Sequence, residues 1–239
     1  QKISKKAFEI VLEDYNHYSK IKHNKNLSPI YNFSDHYMIL KGIAESIEAK
    51  NIVEIGTASG LSLLSFLKSK YTKQVFTWDL YPIFPTKDKK NHVYNAQNTS
   101  MLDNYNKLHN PEGKYLTGSA AGWVSNNDVK SYIENELHLY TKKYTQFVEN
   151  IDDLETFNLR RDILENADLI FIDGPHNGIF EKSIYNKLKS LSFKKEVILI
   201  LDDIKVSSMV MFWENIKFPK LDISHIGHIT GTGIVKLYK

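Results

Sequence analysis

Five acidic residues and one histidine stand where chemistry can be done. Glu54 opens the run Glu54-Ile55-Gly56-Thr57-Ala58-Ser59-Gly60, and Asp79, Asp173 and the pair Asp202-Asp203 each close a short apolar run. His176 follows Asp173 by three residues. Glycines in such a turn reach positive φ without steric cost and leave the backbone open to a ligand lying across it. The helix expected after the turn aims unpaired N–H groups the same way. Asp79 comes twenty-three residues after Gly56; in nucleotide-binding α/β folds an acid at that place accepts hydrogen bonds from ribose hydroxyls. A neutral imidazole at His176 would take a proton from a substrate hydroxyl. Each residue also has a plainer use: a turn without ligand, a helix cap, a surface histidine.

The elements that must carry these residues alternate. Ile52, Val53 and Ile55 read as a short buried strand, and Leu61 to Leu67 is apolar at helical spacing. Gln74–Leu80 is the next strand, followed by an aromatic, proline-containing turn from Tyr81, the basic run Lys87–Lys90 and a helix over roughly 93–108. Residues 114–120 read as the third strand. From about 126 to 166 the apolar residues Tyr132, Ile133, Leu137, Leu139, then Tyr144, Phe147, Val148 and Ile151, predict a two-helix insertion. The continuous apolar runs before Asp173 and Asp202 predict strands buried on both faces of a parallel sheet. Two last strands, Asp222–Ile229 and Gly233–Tyr238, joined by Thr230-Gly231-Thr232, predict an antiparallel pair. Before the first strand, Phe8, Val11, Leu12, Tyr15 and Tyr18 form one helical stripe, and Met38, Ile39, Ile43 and Ile47 another, with Ser34 or Asp35 as its cap.

An acid, one residue, a glycine and then a second glycine resembles the first motif of the class I S-adenosylmethionine (SAM)-dependent methyltransferases. It is not the Gly-x-Gly-x-x-Gly of the dinucleotide fold. The resemblance covers roughly residues 34–239 and implies an α/β, Rossmann-like, doubly wound seven-stranded sheet with one antiparallel strand and helices on both faces. A helical insertion (125–166) would precede the fourth strand and a helical extension (1–33) the first, all within one domain of 1–239. It implies a SAM site made by Glu54, Gly56, Thr57, Gly60, Asp79, Ser119 and Asp173. Glu54 would meet the methionine amine and Asp79 the ribose; Ser119 stands where the family commonly carries an acid near the adenine amine. It also places the Asp173 strand beside the glycine-turn strand and the Asp202-Asp203 strand next to that, about 4.8 Å apart. Crowded carboxylates need a neutraliser, and a hard divalent cation suits oxygen ligands. The arrangement resembles the metal-dependent O-methyltransferases, catechol-type and sugar or natural-product type, which implies a metal on Asp173, Asp202 and Asp203, with Mg²⁺ favoured over Ca²⁺ or Mn²⁺. Such a metal would lower the pKa of a small-molecule hydroxyl acceptor. Relatives often carry an acid two positions after the metal aspartate; here Pro175 stands there, which shifts the base to His176, with Asp173 its companion. His225 and His228 are weaker candidates.

Composition narrows the field. The 239 residues carry a net charge of +3, which does not by itself argue for nucleic acid, and 42% hydrophobic with 25% charged residues is a soluble globular composition. The absence of cysteine excludes disulfides and thiolate chemistry and fits a reducing, cytoplasmic setting. No run suggests a membrane span. A start at Gln1 suggests a piece of a longer polypeptide, and a homodimer stays open. The rivals are a methyltransferase that works without metal through Asp173 or His176, a nicotinamide-dependent oxidoreductase, for which the glycine spacing is wrong, and a binding domain that has lost its chemistry.

Overall fold

A computed structural model describes residues 3, 5–7, 9–10, 35–81, 83, 92–94, 127–226 and 230–238. In chain order the elements are α1 (Asp35–Ser46), β1 (Asn51–Ile55), α2 (Leu61–Leu67), β2 (Gln74–Asp79), β3 (His92–Tyr94), α3 (Asn127–His138) and β4 (Tyr144–Val148). They continue with α4 (Leu154–Leu159), α5 (Arg161–Glu165), β5 (Leu169–Ile172), α6 (Ile179–Lys189), β6 (Val197–Asp202), α7 (Ser207–Asn215), β7 (Lys220–Asp222) and β8 (Thr232–Leu237).

The strands form one sheet in the order β3-β4-β2-β1-β5-β6-β8-β7. All neighbours are parallel except the two pairs that involve β8. This is the expected doubly wound sheet with one reversed strand, extended at its edge by the three-residue β3. Every residue of β5 and β6 is buried, as the apolar runs Leu-Ile-Phe-Ile and Val-Ile-Leu-Ile-Leu require of central parallel strands.

The pleat sends alternate side chains to opposite faces. Val53, Ile55, Trp78, Ile170, Ile172, Leu199 and Leu201 pack with α6 and α7 through Ile184, Leu188, Met209, Phe212 and Trp213. Ile52, Val75, Leu169, Phe171, Ile198 and Ile200 pack on the other face with α1, α2 and α3 through Ile39, Ile43, Leu63, Phe66, Ile133 and Leu137. Helices therefore cover both faces.

The sequence reading is corrected in three places. Tyr144–Val148, read as part of a helical stripe, is strand β4, paired in parallel with β2. Its spacing fits both periods; Tyr-Thr-Gln-Phe-Val is rich in β-branched and aromatic types, and the open edge of β2 decides the matter. Residues 126–166 are therefore helix, strand, helix, helix, and they build the sheet itself. Val93 and Tyr94, expected at a helix start, belong to β3. Of the strand expected over Asp222–Ile229, only Asp222 lies in a strand among the described residues, in Lys220–Asp222, with 227–229 outside them; the antiparallel pairing with β8 holds. The third strand expected at 114–120, with Ser119, lies outside the described residues, as do Ser34, His228 and the first helical stripe from Phe8 to Tyr18.

Strand order reverses between β1 and β5, the point at which open α/β sheets hold their ligands. The chain backbone closes tightly there. Asp173 N–H donates to the Ile55 carbonyl (2.8 Å), and a Cβ built on Gly56 (φ +99°) would lie 1.8 Å from the Asp173 carbonyl oxygen. Gly56 is thus required by a protein backbone rather than by a ligand. At Gly60 (φ +82°) a Cβ would meet only side-chain ends, Leu137 at a tight 3.3 Å that a flexible side chain can yield, and glycine is needed there for the left-handed backbone.

Gly56→Ala is expected to cost about 3–5 kcal/mol, overpacking and backbone strain together, and Gly60→Ala about 1–2 kcal/mol from strain alone. Urea unfolding of the two variants checks this; equal losses would mean that the Asp173 contact is not what demands glycine at 56.

Candidate active site

Glu54 lies on β1, directly opposite Thr77 on β2, and both are fully buried. The Thr77 hydroxyl donates to Glu54 Oε2 (2.5 Å), and the Thr57 hydroxyl meets the Thr77 hydroxyl in turn. Glu54 Oε1 is buried with no hydrogen-bond partner among the described residues. Burial pushes this carboxyl up to about 8, against the pull of the Ser62 and Thr77 hydroxyls and with a further push from Asp173 and Asp79.

Asp79, at the end of β2, is turned onto the glycine turn. Its Oδ2 accepts the N–H groups of Thr57 (3.0 Å) and Ala58 (2.8 Å), and its Oδ1 accepts that of Tyr81 (3.0 Å). Burial raises its pKa, opposed by these backbone bonds. Asp79 therefore shapes the turn first, and a ribose hydroxyl would share Oδ1 with Tyr81. The preceding residue, Trp78, fixes the turn from its backbone: its carbonyl accepts Gly56 N–H (2.8 Å) and faces the Thr57 hydroxyl (3.3 Å).

Across the switch point, β5 and β6 deliver the remaining acids. His176 Nε2 sits 3.3 Å from Asp173 Oδ1 and 3.4 Å from Asp203 Oδ2. Asp202 Oδ2 lies 3.8 Å from Nε2 of His36, a buried side chain of α1 whose Nδ1 is 3.4 Å from the Thr232 hydroxyl. Burial, and after it the Asp202 charge, raise the Asp173 carboxyl. For His176 burial works to lower the pKa, but the hydrogen bond and charge of Asp173, with Asp203 and Asp202, carry it up to about 9. These carboxylates favour the charged imidazole over the neutral one. Its backbone is set by the loop: His176 N–H donates to buried Glu181 (2.8 Å), Gly178 N–H to the same carboxylate (2.9 Å), and the Ser208 hydroxyl to the His176 carbonyl. His176 (φ +53°) and Asp203 (φ +57°) both adopt left-handed backbone, uncommon for residues other than glycine.

Several site residues escaped the sequence reading. Thr77 was detectable as a polar residue inside an apolar strand, one register step from Glu54. His36 and Tyr37 carry no such signal; Tyr37 is half-buried, and its phenol is raised by burial and by Asp173, Asp202 and Glu54. The strand exit beside β2 carries Glu149, immediately after β4. Glu149 is buried and committed: it accepts the Trp78 indole N–H (3.0 Å) and both arms of Arg160 (2.8 and 3.1 Å), whose guanidinium lies over Phe147. His225 is exposed.

The donors were tested against a metal. Asp173, Asp202 and Asp203 do gather on one side of the switch point, but Asp173 and Asp203 share His176 and Asp202 faces His36. Among the described residues no three of His, Asp and Glu converge so as to hold a metal ion. A methyl donor bearing an amino group fits better, because a buried carboxylate oxygen without a donor is the partner an ammonium needs.

Sheet order, the Glu54 turn and the acids at the switch point together define a class I, SAM-dependent methyltransferase fold. Residues 53–204, well over half of the chain, match the methyltransferase domain family, and the chain belongs to that family. It is therefore an enzyme of methyl transfer. Among solved structures it is similar to an O-methyltransferase from Bacillus cereus in complex with SAH (15% identity, 96% of this chain and 91% of that one, TM-score 0.48). A methyltransferase from Geobacter sulfurreducens gives 10% identity, 95% and 96% coverage and a TM-score of 0.48. The O-methyltransferase TomG from Streptomyces achromogenes, involved in tomaymycin synthesis and solved with SAM, gives 13%, 82% and 77%, and 0.42. At such values the likeness is descriptive, and the family match alone assigns the chain. No curated protein matches it. Among the described residues no helix is long and apolar enough to cross a membrane.

Glu54 gives a pH-dependent stability of known sign. Its folded pKa of about 8 stands above the ordinary 4.5, so between these values the folded state binds more protons than the unfolded one. Stability from this group is fully present at low pH and is lost as pH rises, by up to about 1.4 kcal/mol per pH unit. Urea unfolding of ligand-free protein from pH 5 to 8 should show this fall, and Glu54→Gln should flatten it; parallel curves for the two proteins would contradict the assignment.

Proposed function

We propose that this protein transfers the methyl group of SAM to a hydroxyl oxygen of a small molecule, of the sugar or natural-product kind that the sequence resemblance implies. The observation that carries the reading is the buried Oε1 of Glu54, without a hydrogen-bond partner among the described residues, on the strand that leads into the glycine turn. Bound SAM would supply a methyl group activated by a sulfonium, and it brings an ammonium as a second positive charge. Glu54 holds the ammonium, the Gly56–Gly60 turn with Thr57 carries the backbone contacts, and Asp79 keeps that turn in shape and offers Oδ1 toward the ribose. Asp173, whose backbone closes on Gly56, brings a carboxylate to the glycine turn from the neighbouring strand, and its charge acts on Glu54.

The residues of this chain manage the proton. A carboxylate with a raised pKa is a stronger base than an exposed one, so Asp173 takes the hydroxyl proton as the oxygen becomes bonded to the methyl carbon, whose bond to sulfur would break with the electron pair leaving on the thioether product. His176, shared between Asp173 and Asp203, holds both carboxylates in place and supplies the positive charge that the crowding requires. His36 faces Asp202, Nε2 to Oδ2 at 3.8 Å. In this reading the His176 imidazole fills the neutralising role for which the sequence suggested a metal.

Three measurements test the proposal. SAM titrated by calorimetry should saturate, and binding between pH 5.5 and 7 should release a proton from Glu54, visible as a dependence of the heat on buffer ionisation; absence of saturation ends the reading. Asp173→Asn should lower turnover by about 100-fold or more, the scale of a lost general base, with SAM affinity within a few-fold of wild type. Methyl transfer to a panel of hydroxyl compounds should persist in EDTA; a strict need for added Mg²⁺ would restore the metal on Asp173, Asp202 and Asp203 in place of the histidine pairs.

A further inference from the structure

Glu54 is not held in its buried position by chance packing. Its register partner across β1 and β2 is Thr77, and the two side chains share one face of the sheet. A hydroxyl has one proton to give. When Glu54 is ionised, as it is opposite an ammonium, Thr77 gives its proton to Oε2, and the short contact between Thr77 and Thr57 then takes the proton of Thr57 in preference to the Trp78 carbonyl at 3.3 Å. In that state the relay runs from the glycine turn through Thr57 and Thr77 to the carboxylate, and each link polarises the next. It ends on Oε2. Oε1 is left buried and without a donor among the described residues.

We propose that Thr77 is a positioning residue: by holding Oε2, and being held by Thr57 of the cofactor turn, it aims Oε1 of Glu54 at the ammonium of an amino-acid-bearing nucleoside. This rests on the SAM reading above and adds to it the device by which the amino-acid end of the cofactor is selected. The groups acting on Glu54 are the Ser62 and Thr77 hydroxyls and the carboxylates of Asp173 and Asp79; an ionised Glu54 buried beside two acids is stabilised by a cation. Because Thr57 also belongs to the turn that Asp79 fixes, closing the turn and orienting the acid are one event. A nucleoside without the amino-acid end would gain nothing from the relay.

That asymmetry supplies the test. Calorimetry compares S-adenosylhomocysteine, which has the ammonium, with 5′-methylthioadenosine, which keeps adenosine and thioether and lacks it. Thr77→Val, near-isosteric, should weaken S-adenosylhomocysteine about tenfold or more, as for a lost hydrogen bond to a charged group, and leave methylthioadenosine within twofold. Thr77→Ser should restore binding, and in a Glu54→Gln background Thr77→Val should add little further loss. Should Thr77→Val fail to fold, Thr57→Val removes the outer hydroxyl and carries the same comparison. Equal losses for both ligands, or no loss for either, would overturn the relay while leaving the SAM reading intact. Failure of both ligands to bind the unaltered protein would overturn the SAM reading and the relay with it.

Discussion

The close approach of the Gly56 and Asp173 backbones governs the site. It sits where the sheet reverses its strand order, and it leaves no room for a side chain at residue 56. One consequence is distance: the turn after β1 and the acid after β5 belong to a single rigid seam, so a group seated on one is presented to the other. A loop-borne acid would have to be ordered by the ligand, at an entropic cost. Here the ordering is done by folding, through the buried strands β5 and β6 whose apolar side chains grip both helical layers.

That rigidity brings like charges together, and the protein handles the crowding in several ways. Asp79 is surrounded by backbone donors, Glu149 by an indole and a guanidinium, Asp173 and Asp203 by one imidazole, and Asp202 by another. Among these acids the buried Glu54 oxygen is the one whose partner is not supplied by the described residues. Burial and mutual repulsion do the rest, pushing the pKa values of Glu54 and Asp173 upward, in the direction expected when charge is removed from water.

Much of this architecture was legible in the residues because one physical signal, the buried apolar strand ending on an acid, recurs at β2, β5 and β6. The glycine turn was legible for a related reason, since only glycine tolerates both the left-handed backbone at 60 and the contact at 56. Strand β4 was not, because Tyr144, Phe147 and Val148 satisfy a helical period as well as an extended one, and only the vacant edge of β2 discriminates. The histidine pairing was hidden more deeply. His36 comes from a helix that precedes the whole sheet, and nothing local to it signals that it ends up facing an acid some 166 residues later. The raised pKa of His176 comes first from Asp173, three residues away, and then from Asp203 and Asp202, which are remote in the chain and meet it only in the fold.

Trp78 has a consequence of a different kind. Its indole is buried, stacked on Phe147 at 4.6 Å and bonded to Glu149, while its own carbonyl holds the first residue of the glycine turn. A single residue thus joins a chromophore to the segment that any cofactor must touch. The molecule carries its own optical gauge, since indole emission responds to its surroundings, and occupancy of the turn can be followed in the native protein without attaching a dye.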